Sequence, residues 1–508
     1  MRKLRVLILK PSKYGEDGQV ERFRRGFMPN ATIPHLRSMT PPELDGASIE
    51  VHMIDEYVQT ELSYLQQLKS TEEPTLLALA GVQSHQFHRS LDLAAYALQQ
   101  GVEHCVIGGP HPMTCDTSML HGRGVSFALS EAETIWTTIL RDALDGQLQP
   151  VYGADHRWQE KLDSPVVTPP SRDYMRRYVV PMLGIYPARG CPFTCNFCSV
   201  ILIAGRAIRS QDIETTLASL RLAKQAGVKA IMFTSDNFNK YGDAPALLQA
   251  MIDERIGLPF FVQCDVQIAK QDALVDLLGR AGCFQMFVGV ESFNRKILLA
   301  AHKAQNHPRL YGDIVRLCRQ AGIISHFSNI IGFPEDTTEG IADHLEELIR
   351  LAPDVASFYI LTPVPGTQQY DDFRADGRIF ETNLDRFDGT RPIWTHDSLS
   401  AEQLEDLLFD CYRRFYSAGQ LARFCIRNRK LAFAHGLALQ LGLPFYCKYA
   451  AYRRMHPMSG GVGRVSRDGD GQYRELRRKR FGFDRVPLPG CLTLTPGDLA
   501  INSRARIS

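Results

Sequence analysis

Short apolar runs alternate with amphipathic stretches along most of this chain. At 4–9, 48–54, 75–81 and 104–108 the runs are rich in Val, Ile and Leu and too short for helices, so they read as strands buried on both faces. Helical patterns lie between them, the order expected of a parallel α/β sheet. A second series begins near 179. It predicts strands at 179–186, 229–234, 260–264, 285–290, 325–331 and 357–361, and helices at 212–226, 244–254, 271–281, 310–321 and 338–351. Six β/α units in succession, each helix followed by Gly or a turn, describe a barrel or partial barrel of parallel strands. Beyond about 388 the strand pattern ceases. The stretch 400–415 reads as an amphipathic helix opened by Ser398-Leu-Ser-Ala-Glu402, and the remainder mixes helical stretches with Gly-rich, basic loops. The predicted fold class is α/β, in four parts: a Rossmann-like unit over 1–155, a Pro-bearing linker over 156–175, a partial (β/α)6 TIM-like core over 176–390, and a mainly helical, basic capping region over 391–508. There is no convincing internal repeat.

At 508 residues the chain exceeds what one hydrophobic core supports, which agrees with several domains. A hydrophobic share of 44%, a charged share of 22% and a net charge of +2 point to neither nucleic acid nor membrane. No run approaches the roughly 18 apolar residues of a membrane span, and the apolar start stops at Lys10-Pro11, too soon for a secretory signal. A cytoplasmic location is expected. Charge is nonetheless uneven, since 421–508 holds 17 Lys or Arg against 5 Asp or Glu, which reads first as a solvated basic face.

Nine of the 12 cysteines are scattered singly, as buried small hydrophobes are. The other three form Cys191-Pro-Phe-Thr-Cys195-Asn-Phe-Cys198. Three thiols in eight residues of a cytosolic-looking chain suggest a soft-metal site, zinc or iron–sulfur. A structural zinc site is normally closed by a fourth Cys or His, whereas a cubane held by three thiolates keeps one iron open. The motif follows the first strand of the six-unit series, where barrel active sites are built. Polar residues recur at later strand ends: Thr234-Ser-Asp-Asn237, Gln263-Cys-Asp265, Glu291-Ser292 and Gly332-Phe-Pro-Glu335. Singly each reads as a cap or turn, and jointly they favour a site. In the first unit Gly108-Gly109-Pro110 turns sharply at a strand's C-terminal end, where open α/β sheets bind ligands.

These features together resemble the radical S-adenosylmethionine superfamily, and the N-terminal unit resembles that of its cobalamin-binding subgroup. The resemblance implies that Cys191, Cys195 and Cys198 hold a [4Fe–4S] cluster whose open iron binds S-adenosylmethionine, with Phe197 the aromatic before the last thiolate. Reductive cleavage there would yield a 5′-deoxyadenosyl radical. It further implies Asp236 at the methionine amine, Glu291 and Ser292 at the ribose, and the run from Ser328 through Gly332 to Glu335 at the adenine. That run lacks the family's first Gly. Gln83, Ser84, Gly108, Gly109 and Pro110 would meet the nucleotide tail of cobalamin. No Asp-x-His-x-x-Gly follows the first strand, where Lys10-Pro-Ser-Lys-Tyr-Gly15 stands, so no histidine ligand to cobalt is expected; His35, His85, His88 and His111 read as hydrogen-bonded loop residues. The function expected is cobalamin-dependent methylation of an unactivated centre in a small biosynthetic intermediate, with flavodoxin or ferredoxin as electron donor. A cobalamin-independent radical enzyme with a vestigial N-terminal unit, and a non-catalytic metal-binding protein, are the alternatives. The segments 362–367 and 384–388 are expected to close the core, and Tyr446, Tyr449, Tyr452, Arg453 and Arg454 either cap the site or pack as a helical face.

Overall fold

The structure, a computed structural model, describes residues 2–15, 19–155, 158–434, 438–457, 461–465 and 503–504. Much of the basic tail expected to cap the site lies outside the described residues.

Two sheets organise the chain. The first contains β1 (Arg2–Lys10), β2 (Glu43–Leu44), β3 (Ala47–Asp55), β4 (Thr75–Leu79), β5 (His104–Gly108), β6 (Ser126–Ala128) and β7 (Val151–Tyr152), in the order β2-β3-β1-β4-β5-β6-β7. All pairings are parallel except β2 with β3. That hairpin turns through Asp45 and Gly46, both at positive φ, as a two-residue type I′ turn requires. Leu7, Leu9, Leu77 and Leu79 pack against helix Phe87–Gln99 on one face, while Val6, Ile8, Leu76 and Ala78 pack against Trp136 and Ile139 on the other. Burial on both faces is why these strands read as continuous apolar runs. β2, β6 and β7 were not legible, because two or three residues cannot display a period. The chain leaves β1 to opposite sides to form β3 and β4, so a crevice opens beyond Lys10 and Gly81.

The second sheet contains β8 (Met182–Ile185), β9 (Ala230–Phe233), β10 (Phe260–Cys264), β11 (Cys283–Glu291), β12 (Ile324–Ile331) and β13 (Val355–Ile360). They lie in sequence order and are all parallel. Its five predicted helices form at Ile213–Gln225, Ala244–Asp253, Asp272–Ala281, Tyr311–Ala321 and Thr338–Leu351. Alternate strand residues such as Ile231, Val262, Met286, Phe327 and Phe358 pack among them. On the opposite face the polar residues Gln285, His326, Ser328, Ser357 and Tyr359 stand among Phe261, Phe287 and Ile330.

The sheet does not close, and both edges are covered. Ser400 and Gln403 cap helix Ala401–Phe415 reciprocally, at 3.1 and 2.7 Å. From it, Tyr412 bonds the backbone of Phe358 and Tyr416 that of Ala356 on β13, each hydroxyl accepting from the N–H and donating to the C=O. The edge that would otherwise template another strand is thereby satisfied. At the other edge Gly26 and Phe27 accept from Val179 and Val180 just before β8. The expected linker is packed rather than loose: Val167 is buried, and its N–H donates to Ser219 Oγ at 2.9 Å.

Candidate active site

The cysteine loop leaves β8 through Arg189 and Gly190. A Cβ at Gly190, whose φ is 106°, would fall 2.1 Å from the Ala207 carbonyl oxygen, so the loop passes there only as glycine. Its N–H donates to Asp236 Oδ2 at 2.8 Å, and Cys191 N–H donates to Gly205 O at 3.1 Å. Burial pushes the Cys198 thiol up to about 12 and raises Cys191 as well, each further raised by the neighbouring thiols. Opposing this, Asn237 Nδ2 approaches Cys191 Sγ at 3.9 Å and the Lys303 ammonium favours the Cys198 thiolate, while Gln305 Nε2 lies 3.5 Å from Cys195 Sγ. Three thiols ringed by N–H donors and one cation form a donor set suited to an anionic iron–sulfur cluster. Among the described residues no group of three His, Cys, Asp or Glu is arranged to hold a single metal ion. Phe197 packs edge-on against Phe333 at 6.1 Å, with Lys303 Nζ 5.7 Å from its ring centroid.

A cavity of about 370 Å³ opens beside this loop. Phe197 and Ser199 form its wall on the loop side, Glu291, Ser328 and Tyr359 come from the strands of the second sheet, and Gln83, Ser84 and Pro110 come from the first unit. Glu291 sits at a bulge in β11 with φ of 64°, a conformation a non-glycine residue holds only under tertiary constraint. Its carboxylate accepts from Lys303 Nζ at 2.9 Å and from Ser328 Oγ at 3.4 Å. A Cβ at Gly289 would fall 2.6 Å from Glu291 Oε1, so the absence of a side chain there makes room for the pair. Burial pulls Lys303 down, yet Glu291 and Cys195 outweigh it and the ammonium is held above its ordinary range.

The remaining expected residues divide. Ser292 is buried in the turn after β11, where its Oγ accepts from Asn294 N–H at 3.1 Å, and it is not among the residues lining this cavity. Gly332 holds φ of 78°. Glu335 is exposed and is not among the lining residues either; its neighbour Asp336 holds the turn, accepting from Gly332 and Phe333 N–H at 2.8 and 2.9 Å. Asp236 faces a second, largely apolar cavity of about 260 Å³, shared with Gly108, Gly109, Pro110 and Trp136. Gly109 has φ of 134°, and a Cβ there would meet Val82 N at 2.2 Å. Pro110 borders both cavities and a third of about 480 Å³ that reaches Lys10 and Tyr186. Burial lowers Lys10 to about 8 against the pull of Asp55.

Several residues of the site were not singled out from sequence. Gln285 Nε2 meets His326 Nδ1 at 2.8 Å, and His326 Nε2 meets Ser357 Oγ at 2.5 Å. Burial lowers His326 to about 3, so its ring is neutral and donates through Nε2 to Ser357, two residues before Tyr359 on the same face of β13. This directional chain lies beside Tyr359, which lines the cavity. Thr362, Val364 and Asp388 also line the cavity, so the segments expected to close the core form part of its wall. Asp388 pairs with Lys13 and Asp385 with His88, joining the wall to the first unit. Of the four histidines weighed for cobalt, His35 binds Glu133, His88 meets Asp385 and His111 meets Ser84, while His85 lines the cavity and is lowered by burial to about 4. Arg454 pairs with Asp406 at 2.7 Å and lies over Phe409, Tyr446 donates to Gly461 O, and Tyr449 and Tyr452 are exposed. None of them, nor Arg453, is among the residues lining the three cavities.

Residues 185–348 match the Radical SAM superfamily profile. The bacteriochlorophyllide d C-8(2)-methyltransferase of Chlorobaculum tepidum is 25% identical over 459 residues, covering 84% of this chain and 93% of that protein. The structure of TsrM from Kitasatospora setae, a radical S-adenosylmethionine methyltransferase with cobalamin and a [4Fe–4S] cluster bound, aligns with a TM-score of 0.60 at 16% identity, over 74% of this chain and 78% of that one. OxsB, a cobalamin-dependent S-adenosylmethionine radical enzyme, aligns with a TM-score of 0.60 at 14% identity, over 98% of this chain and 78% of that one. At such identities these structures establish a shared α/β fold. The cysteine motif lies inside the matched segment, so residues 185–348 form a Radical SAM superfamily domain.

Proposed function

We propose that this protein is a cobalamin-dependent radical methyltransferase acting on an unactivated centre of a small biosynthetic intermediate. One observation carries the reading: a single cavity takes its walls from the cysteine loop, the strand ends of the second sheet and the Gln83–Pro110 side of the first. In this reading 1–155 is the cobalamin-binding unit, 176–390 a partial (β/α)6 barrel, and 391–508 its cap.

Cys191, Cys195 and Cys198 would hold the [4Fe–4S] cluster, which supplies the electron that cleaves S-adenosylmethionine. Glu291, held by Lys303, and Ser328 beside it offer oxygen acceptors and a hydroxyl suited to a ribose. Asp236 holds the loop through Gly190 N–H, and in this state its carboxylate serves the backbone. Gly108, Gly109 and Pro110 would hold cobalamin, because they border the largely apolar cavity at the end of β5, and glycine at 109 lets this turn pack directly on the Gly81–Val82 backbone. Cobalamin would supply the methyl carrier. Tyr359 lines the cavity and offers a polar handle for the substrate. Supporting the assignment, the Chlorobaculum tepidum relative and TsrM are both named methyltransferases, and TsrM is bound to cobalamin. A flavodoxin or ferredoxin donor and a cytoplasmic location suit this chemistry; no described helix is long and apolar enough to cross a membrane.

Anaerobic incubation of the iron- and sulfide-reconstituted protein with S-adenosylmethionine and a reductant tests this. 5′-Deoxyadenosine is expected, with S-adenosylhomocysteine appearing only when cobalamin is added. A colourless, zinc-loaded protein without cleavage overturns the reading. Cleavage with no response to cobalamin replaces it with a cobalamin-independent radical enzyme.

A further inference from the structure

The two residues before Cys191 are held by carboxylates from different parts of the fold. Gly190 N–H is held by Asp236 at the end of β9. Arg189 instead reaches across to the first unit, where Glu131 and Glu133 flank the start of helix Ala132–Leu144. It donates to Glu133 Oε1 at 2.7 Å, to Glu133 Oε2 at 3.1 Å and to Glu131 Oε1 at 3.2 Å. Arg209, whose short strand pairs with that of Arg189, donates to both oxygens of Glu131 at 2.6 and 2.8 Å. His35 meets Glu133 Oε1 at 2.7 Å. All five side chains are between 2 and 13% exposed.

Two guanidinium groups thus face two carboxylates in a buried cluster, and Arg189 engages both glutamates in a forked geometry that no lysine reproduces. Desolvating four charges is costly, and removing one partner costs far more than the pair gains, so the arrangement is stiff. The same side chains border the cavity beneath Gly108 and Gly109: Glu131, Glu133, His35, Arg189 and Asp236 all line it. Whatever fills that cavity therefore touches the groups that fix the backbone leading into the cysteine loop.

We propose that Arg189 is a positioning residue that couples occupancy of this cavity to the iron–sulfur site, so that the first unit acts on the cluster through the Glu131–Glu133 pair. The inference rests on the cobalamin reading above and sets the nucleotide tail in this cavity, beside Gly108, Gly109 and Pro110. Linkage makes the coupling reciprocal: if an occupant steadies the loop in the form that holds the cluster, the cluster tightens binding of the occupant by the same factor.

The test uses full-length protein in cluster-free and reconstituted forms, with hydroxocobalamin affinity measured by equilibrium dialysis. For the native sequence, reconstitution is expected to tighten binding by about fivefold or more, the lower end of typical couplings. In Glu133→Gln, with iron content unchanged, that ratio should fall towards one, whereas a merely structural role would weaken both forms equally and leave the ratio in place. Arg189→Lys, which keeps the charge and loses the fork, should restore little of it. Cobinamide, which lacks the nucleotide tail, should show a ratio near one even with the native protein, and this arm needs no variant to fold. Failure of hydroxocobalamin to bind either form overturns the cobalamin reading and the inference with it. Binding with equal affinity to both native forms, or an unchanged ratio in Glu133→Gln, overturns the coupling alone.

Discussion

Gly109→Ala adds one methyl group where the chain has left no room. The residue sits at φ 134° and ψ −169°, a region essentially reserved for glycine, and occupying it with alanine costs about 1–3 kcal/mol. The new Cβ would lie 2.2 Å from Val82 N and 2.5 Å from Gly81 C, both backbone atoms that cannot swing aside. Relief requires the turn to withdraw by about 1 Å, since close-packed interiors hold such atoms near van der Waals separation. That withdrawal stretches two bonds stitched across the spot, Val82 N–H to Gly108 O and His111 N–H to Val82 O, both 2.9 Å. At about 1 kcal/mol each, the total loss is about 3–5 kcal/mol. Gly122→Ala is the control. Its φ is 74° with nothing within 4 Å of the added Cβ, so only the left-handed backbone cost of about 1–2 kcal/mol applies. Urea denaturation of both variants measures the difference, and dialysis against hydroxocobalamin reads the ligand side, where Gly109→Ala should lose binding and Gly122→Ala should keep it. Gly109→Ala matching Gly122→Ala in stability, or retaining native affinity, would refute the crowding argument.

Lys303→Met removes the cation from the buried Glu291 carboxylate and should cost about 3–5 kcal/mol by urea denaturation; a loss under about 1 kcal/mol would mean the pair is solvated. Tyr416→Phe strips the Ala356 N–H and C=O of their partner on the edge strand and should cost about 2–3 kcal/mol, with native stability as the contrary result. Burial lowers His344 and His456 to about 4 and His326 to about 3. Each binds fewer protons folded than unfolded, so stability is full above about pH 6.5 and is lost as the pH falls towards 4, by about 2 kcal/mol per histidine at pH 5. Asp336, raised by burial to about 6, works in the opposite direction and offsets one of them. Urea midpoints at pH 7.5 and 5 should therefore fall, and a flat profile would contradict neutral burial of these rings. Cys→Ala at 191, 195 and 198 together should abolish both broad absorption near 400 nm and cleavage of S-adenosylmethionine, whereas retained cleavage would place the cluster elsewhere.

The longer strands of both sheets were legible because burial on two faces writes itself as a continuous apolar run, and the helices of the second series because one buried stripe imposes a period of 3.6. The cysteine motif was legible because its ligands are contiguous. Contiguity failed for the rest of the site. Tyr359 looked like one more strand residue until β11, β12 and β13 aligned Gln285, His326 and Ser357 beneath it. Glu335 and Asp336 are adjacent in sequence, and only the turn at Gly332 decided which carboxylate points inward.

The sequence by itself determined the element types, the parallel α/β class and the three thiols, all of which follow from side chains acting within one turn or one strand. The tertiary structure decided which strand ends share a cavity, which of the expected residues reach it, and that Arg189 and Gly190 are held by carboxylates 58 and 46 positions away. Burial, charge pairing and backbone clearance at these places are properties of two segments meeting. No local pattern encodes them, because the energy of a buried pair depends on what excludes water from it.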